Sequence, residues 1–377
     1  MLHGLTADQR DAQTAFAHFT DERLIPHAGA WDHAERLDDA VIKDLAAARL
    51  LVPTLPSEAG GTGMDVVTYG LLSEELGRGC GSVRNLVAVQ GMVAHAILRW
   101  GSKELADRWV PAIGTGTTIG AFALTEPDVG SDARNGTTTA RRVPGGFEIT
   151  GHKKWLSFAQ RAGVFLLFAR LDDDPAAFVV ERDTPGLVVS PITGLLGLRA
   201  SELGEVVLDS VVVPESSLLS HGRLTFDLVA TSSLDYGRYS TAYGSVGLAQ
   251  ACLDATLDYT RTRTQFGVPL AEHQLVRQSL TDMITSVEAA RLLCHQAGTM
   301  RAAAHRDAIR QTLIAKYFAS QSAYTTATTA VQLHGANGVG PAYPVQRHLR
   351  DAKIQEIIEG TSQIQQLQIA DLTLTQR

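Results

Sequence analysis

The run GVFLLFARL (Gly163–Leu171), followed closely by AAFVVE (Ala176–Glu181), sets the middle of this chain apart from both ends. Its apolar residues follow one another without helical spacing, and Val, Phe and Leu suit a pleated sheet. GFEITG (Gly146–Gly151), GLVVS (Gly186–Ser190) and EVVLDSVVVP (Glu205–Pro214) repeat the pattern, separated by Gly, Pro and Asp clusters. Short strands with no helix between them predict an antiparallel sheet or barrel rather than a parallel β–α–β sheet.

Both flanks read as helix. On the N-terminal side Val41, Leu45, Ala48 and Val52 recur at helical spacing, and Asp38 is placed to cap that helix. PTLPSEAGGTGMD (Pro53–Asp65) is a loop by its Pro and Gly content. A second helical block runs from about Val66 to Val110, ended by Pro111 and the glycines at 114, 116 and 120. On the C-terminal side one apolar stripe carries Ala242, Val246, Ala249, Leu253 and Leu257. A second carries Leu280, Met283, Ile284, Val287 and Ala290, and a third helix spans about Ala308–Leu333. The expected fold is α+β and multidomain. It has an N-terminal helical domain (1–120), a central antiparallel β domain (121–230) and a C-terminal four-helix-type bundle (231–377).

The 377 residues suit two or three domains at about 100–200 residues each. Lysine and arginine total 33 against 40 acidic residues, a net charge of −7, which disfavours a nucleic-acid or anionic-membrane partner. The longest apolar run, Val164–Ala169, falls far short of the roughly 18 residues of a membrane span. The start, MLHGLTADQRD, has no basic region leading into an apolar one, so no secretory signal is expected. Cys80, Cys252 and Cys294 form no C-x-x-C pair, which fits a reduced, cytoplasmic setting. The 12 histidines show no ligand spacing with Asp or Glu, so no metal site is expected. G-x-G-x-x-G, the P-loop, H-E-x-x-H and G-x-S-x-G are all missing. GTGTTIG (Gly114–Gly120) has the wrong spacing and follows a helix.

Four longer segments say more. AFALTEPDVGSDA (Ala121–Ala133) carries T-E-P-x-x-G-S-D, and GHKKWLSFA (Gly151–Ala159) carries G-x-K-x-W-x-S-x-A. RTRTQFGVPLAEHQLV (Arg261–Val276) carries R-x-x-F-G-x-P-L, and Gln332–Gln365 carries Q-x-x-G-x-x-G, R-D-A and E-G-T-x-x-I-Q. Taken in this order, from about Asp38 to Gln365, the chain resembles the acyl-CoA dehydrogenase flavoprotein family. The resemblance implies FAD between the β domain and the last helical domain. It places Thr125, Gly130 and Ser131 on the flavin and its pyrophosphate edge, and Trp155 and Ser157 beside the isoalloxazine. As residues alone, Thr125 and Ser131 read also as turn caps, and Trp155 as a buried strand residue.

The resemblance further has Arg263, Gln265, Phe266, Gln274, Gln332 and the Ala336 turn reach the FAD of a neighbouring subunit, so a dimer or tetramer is expected. A guanidinium suits a pyrophosphate, although Arg263 reads also as a solvated cation at a helix C-terminus. Thr361 and Gln363 match further FAD-contacting positions. Asp235, Arg238 and Gly360 match substrate-binding ones, with helix capping by Asp235 and a surface ion pair for Arg238 as the alternatives.

Glu359 is the expected base. Ile357 and Ile358 flank it, and apolar flanks raise a carboxylate's pKa. In the family such a base removes the α-proton of an acyl thioester while hydride leaves the β-carbon for flavin N5. Some relatives carry the base on the helix of LDYGR (Leu234–Arg238), but the matching position here is Gly237. The resemblance implies an acyl-CoA substrate and an electron acceptor such as an electron-transfer flavoprotein. A second, looser similarity covers the segments that begin LPSEAGG and LDYGRY. It is to relatives from polyketide extender-unit pathways, which act on short hydroxyacyl groups on acyl carrier protein, as in methoxymalonyl assembly.

Overall fold

The computed structural model describes residues 4–375. Its N-terminal helices begin where the sequence offers caps. α1 (Ala7–Arg23) starts at Thr6, whose hydroxyl accepts from the Gln9 N–H while the Gln9 side chain accepts from the Thr6 N–H. α2 (Ile25–Ala34) and α3 (Asp39–Ala47) follow. Asp38 holds the N-cap position of α3 but does not cap it with its side chain. Its carboxylate instead accepts the indole N–H of Trp31 at 2.9 Å.

Pro53–Asp65 is a loop, closed by Asp65, which accepts from the N–H groups of Val67 and Thr68. The helical block expected at Val66–Val110 is made of three helices: α4 (Val66–Gly79), α5 (Gly81–Trp100) and α6 (Lys103–Gly114). Cys80 is extended and breaks the first pair. Ser102 caps α6 by accepting from the Leu105 N–H. Pro111 does not end the helix but lies inside α6. It has no N–H to donate, yet the buried Val110 and Ile113 hold that last turn in place.

The middle of the chain is one eight-stranded sheet. Its strands are β1 (Gly120–Ala123), β2 (Thr139–Val143), β3 (Gly146–Leu156), β4 (Val164–Leu171), β5 (Asp174–Glu181), β6 (Leu187–Pro191), β7 (Gly204–Pro214) and β8 (Leu218–His221). Their order is β6-β7-β3-β2-β4-β5-β8, with β1 beside β4. Pairing is antiparallel except for β1 with β4 and β2 with β4. Phe147, Ile149, Phe165, Leu167, Phe178, Val206 and Val211 form the core of this domain.

A π-helical turn (Phe226–Thr231) leads into α7 (Ser232–Thr262). A small hairpin, β9 (Thr264–Gln265) with β10 (Val268–Pro269), precedes α8 (Gln274–Ala302), α9 (Ala308–His334), α10 (Val345–Gln355) and α11 (Ser362–Leu374). The first and last thirds share one core. Val67, Leu71 and Leu76 of α4 pack in the same cluster as Tyr239, Tyr243 and Val246 of α7 and Met283 and Val287 of α8.

α4 and α7 meet backbone to backbone. A Cβ on Gly247 would stand 1.8 Å from the Glu74 carbonyl oxygen, and one on Gly77 would stand 2.3 Å from that of Gly244. Gly247→Ala therefore has to push the two helices apart. Overpacking of this kind costs about 1–3 kcal/mol, more than the roughly 1 kcal/mol that alanine returns in helix propensity. The variant is expected to unfold at a lower temperature than the parent in calorimetry.

Candidate active site

The site is built from three segments, each held by its own contacts. The first is the turn after β1. Glu126 is buried there and accepts from both the N–H and the hydroxyl of Thr137 and of Thr138, and from Lys153 Nζ at 2.8 Å. Burial alone would raise this carboxyl, but the Lys153 ammonium and the threonine donors override it and hold it at about 2. Lys153 also donates to the Leu124 carbonyl at 3.1 Å, and the Lys154 N–H donates to that of Thr125 at 2.9 Å. The turn carrying Thr125, Gly130 and Ser131 is thereby fastened to β3.

The second segment is the end of β3. Trp155 and Phe158 both adopt positive φ, 63° and 59°, a region that costs a residue with a side chain on the order of 1 kcal/mol. The distortion leaves the Trp155 ring half exposed at the cleft, while Phe158 is fully buried. Between them, the Ser157 hydroxyl accepts from Asn85 Nδ2 at 3.0 Å, which leaves its own O–H free to donate into the cleft.

The third segment is the turn between α10 and α11. Glu359 has φ 58° and Gly360 φ 95°. The Glu359 carbonyl accepts from Arg238 Nε at 2.9 Å and from Gln365 Nε2 at 3.1 Å. The Gly360 carbonyl accepts from Lys316 Nζ at 2.9 Å and from Gln365 Nε2 at 3.2 Å. The Glu359 carboxylate lies against α7 where that helix has no side chain, since a Cβ on Gly237 would stand 2.5 Å from Glu359 Cδ. Oε2 is shut off from solvent and has no hydrogen-bond partner. Burial pushes this carboxyl up to about 7, against the opposing pull of Arg84, Arg238 and Lys316.

These segments enclose a cleft of about 1740 Å³, counted with its open mouth. That exceeds the roughly 300–1,000 Å³ of a pocket for one drug-sized ligand. Of the expected residues, Thr125, Gly130, Ser131, Trp155, Ser157, Arg238, Glu359, Gly360 and Thr361 line it. Asp235 does not. It pairs with Arg301 at 2.5 Å, and it lies within α7 rather than at its cap. Arg238 is buried and bonded to the Glu359 carbonyl, not a surface ion pair. Gln363 is exposed outside the cleft. Arg263, Gln265, Phe266, Gln274, Gln332 and Ala336 lie away from it, all exposed, with Phe266 96% exposed at the tip of the β9–β10 hairpin.

Sequence reasoning missed Arg84, Asn85, Met92 and Lys316. Asn85 and Met92 line the cleft from α5, and Arg84 and Lys316 act electrostatically on Glu359. One signal was available. Lys316 falls at helical spacing with Thr312, Ala319, Ser320 and Ala323, so a cation sits on the buried stripe of α9.

Three family models match in succession: the acyl-CoA dehydrogenase N-terminal domain over residues 6–117, the middle domain over 121–211 and the C-terminal domain over 228–374. The chain belongs to the acyl-CoA dehydrogenase family, FAD-dependent oxidoreductases that act on the CH–CH group of acyl-CoA. It is 36% identical to the human mitochondrial short-chain specific acyl-CoA dehydrogenase, over 93% of this chain and 86% of that one. A glutaryl-CoA dehydrogenase from Mycobacterium smegmatis, in complex with FADH2, superposes with a TM-score of 0.94. It is 32% identical and the match covers 99% of this chain and 96% of that one. FkbI, a protein for biosynthesis of the methoxymalonyl extender unit of the polyketide Fk520, gives a TM-score of 0.86. It is 31% identical, and the match covers 97% of this chain and 99% of that one.

The residues of the cleft fit FAD. Ser157 and Thr361 each accept a hydrogen bond from within the protein and so keep an O–H for a ligand. Trp155 offers a half-exposed apolar ring, and α11 begins at Thr361, where helix N–H groups suit an anionic pyrophosphate.

The vacancy at Gly237 yields a prediction. Gly237→Ala should strengthen α7 as an isolated helix while forcing the Glu359 carboxylate aside. FAD content should equal the parent's, and flavin reduction by an acyl thioester should fall about a hundredfold in stopped-flow absorbance.

Proposed function

We propose that the chain dehydrogenates a short or modified acyl-CoA across Cα–Cβ, with Glu359 as the base. The observation that carries this reading is the Glu359 carboxylate, which lines the cleft with its Oε2 buried and unpartnered on the bare backbone of Gly237. A carboxylate with no donor at Oε2 is free to take a proton, and desolvation makes it basic enough to compete for the weakly acidic α-proton of a thioester. The Cα–H bond breaks, its proton goes to Glu359, and its electron pair becomes the α,β double bond as a hydride leaves Cβ. Bound FAD supplies the acceptor for that hydride.

The other side chains hold this geometry. Arg238 and Gln365 fix the Glu359 carbonyl and so the direction of its side chain. Ile357, Ile358 and Ile364 border the carboxylate on the cleft wall, and Met92, Phe122 and Leu234 continue an apolar lining that keeps water from the acyl chain. An external electron carrier, such as an electron-transfer flavoprotein, completes the cycle.

Arg263, Gln265, Phe266, Gln274, Gln332 and Ala336 are exposed and remote from their own cleft, which supports their contacting the FAD of a second copy. The FAD-loaded protein should therefore scatter light as a dimer or tetramer, and a stable FAD-loaded monomer would refute this arrangement.

The likeness to FkbI supports a second reading, in which the same chemistry acts on a short hydroxyacyl group carried by acyl carrier protein. Anaerobic flavin bleaching with butyryl-CoA and other acyl-CoAs, compared with the same acyl groups on carrier protein, separates the two. Bleaching by ordinary acyl-CoAs supports the first reading, and bleaching only by carrier-bound groups supports the second.

Glu359→Gln is expected to keep its FAD and lose reduction by substrate. Undiminished reduction would remove Glu359 from this role. The base must be ionised to work, so the parent's rate should fall about tenfold per pH unit below about 7 in a stopped-flow pH series.

A further inference from the structure

Lys316 is wholly buried in α9, and no carboxylate lies within ion-pair distance of its ammonium among the described residues. Its Nζ donates to the Gly360 carbonyl, next to Glu359. That bond alone does not call for a cation, because neutral Gln365 donates to the same oxygen. A methionine or leucine would fill the space without the cost of burying a charge. What the ammonium adds is positive charge beside a carboxylate that has no hydrogen bond of its own at Oε2.

We propose that Lys316 is a positioning residue for the dehydrogenation: it clamps the left-handed Glu359–Gly360 turn and sets the proton affinity of Glu359 from behind. The proposal rests on the reading of Glu359 as the base. No side chain of α9 lines the cleft, so Lys316 acts through the turn and its charge rather than on substrate. The charged groups facing it are Glu359 and Glu356, which favour its ammonium, and Arg238 and Arg84, which oppose it. Of the two carboxylates Glu359 interacts the more strongly with the ammonium, and Glu356 is also paired with Lys353 at 2.8 Å. Burial draws Lys316 down to about 7, into the range to which Glu359 is raised. The two groups therefore titrate as a pair, and a proton gained by one weakens the hold of the other on its own.

Two variants separate the clamp from the charge. Lys316→Gln keeps a donor for the Gly360 carbonyl and loses the charge, whereas Lys316→Met loses both. The primary readout needs no substrate. It is the infrared titration of the Glu359 carboxyl in FAD-loaded enzyme, taken as a difference against Glu359→Gln. In both variants the midpoint should move up by about one pH unit, because a nearby cation that favoured the carboxylate is gone. Flavin reduction by the best thioester of the bleaching panel should fall several-fold at pH 7 in Lys316→Gln and recover at pH 9. In Lys316→Met the high-pH plateau should fall as well.

An unmoved midpoint in both variants overturns the proposal, whatever happens to the rate. If Lys316→Met does not retain FAD, Lys316→Gln decides alone. Loss of reduction in Glu359→Gln with an unmoved midpoint in the lysine variants sinks this proposal and leaves the base assignment standing. Persisting reduction in Glu359→Gln sinks both.

Discussion

The structure depends on keeping one carboxylate oxygen dry. Glu359 sits in a backbone conformation that residues with side chains avoid, and its Oε2 has neither water nor a donor. A chain gains nothing in stability from such a group. The surroundings therefore have to supply what it lacks. Arg238, Gln365 and Lys316 grip the two carbonyls of the turn, and three cations near the carboxylate offset part of the penalty of its burial. The result is an acid whose affinity for protons is set by its environment rather than by its own chemistry.

The rest of the fold presents three segments to one cleft. The two helical parts, more than a hundred residues apart in the chain, share a single core, with α4 and α7 in backbone contact. Asn85 on α5 and Arg238 on α7 thus stand on one rigid body. The β domain has a core of its own on one face, and with the other face, through Val164, Leu166 and Phe168 of β4 and Val179 of β5, it packs against α5 and α6 of that body. Its contribution, the turn at Thr125–Ser131, is irregular backbone. The Glu126–Lys153 pair turns it into a fixed surface, two buried charges with nearly every polar atom satisfied.

Much of this was legible in the sequence, for physical reasons. The five apolar runs of the middle third became β3 to β7, because Val, Phe and Leu suit a strand; β4 and β5 bury both faces, whereas β7 alternates buried with exposed residues. TARRV and LLSH, which became β2 and β8, were not readable that way, one too charged and the other too short. Pro111 was misread as a stop because its effect on the backbone is local, whereas the packing of Val110 and Ile113 is not. Asp38 looked like a cap, and only the fold brought Trp31 within reach of it. Within the site, the residues in motif-bearing turns were found, and most of those in helices were not. Arg84, Asn85 and Lys316 belong to long helices whose pattern announces burial, and what they are buried against is decided by elements far away in the chain. The residues of the β9–β10 hairpin and the Gln332 turn were found as motifs, yet a single protomer gives them nothing to touch in the cleft.

The absent side chain at Gly237 has a historical consequence. Two positions border the same few cubic ångströms, and only one of them can be filled. A carboxylate introduced at 237 would collide with the one at 359, and emptying 359 first leaves no base at all. No single substitution moves the base from one helix to the other through a working intermediate. Relocating the base on this scaffold therefore takes at least two coordinated changes, one at each position.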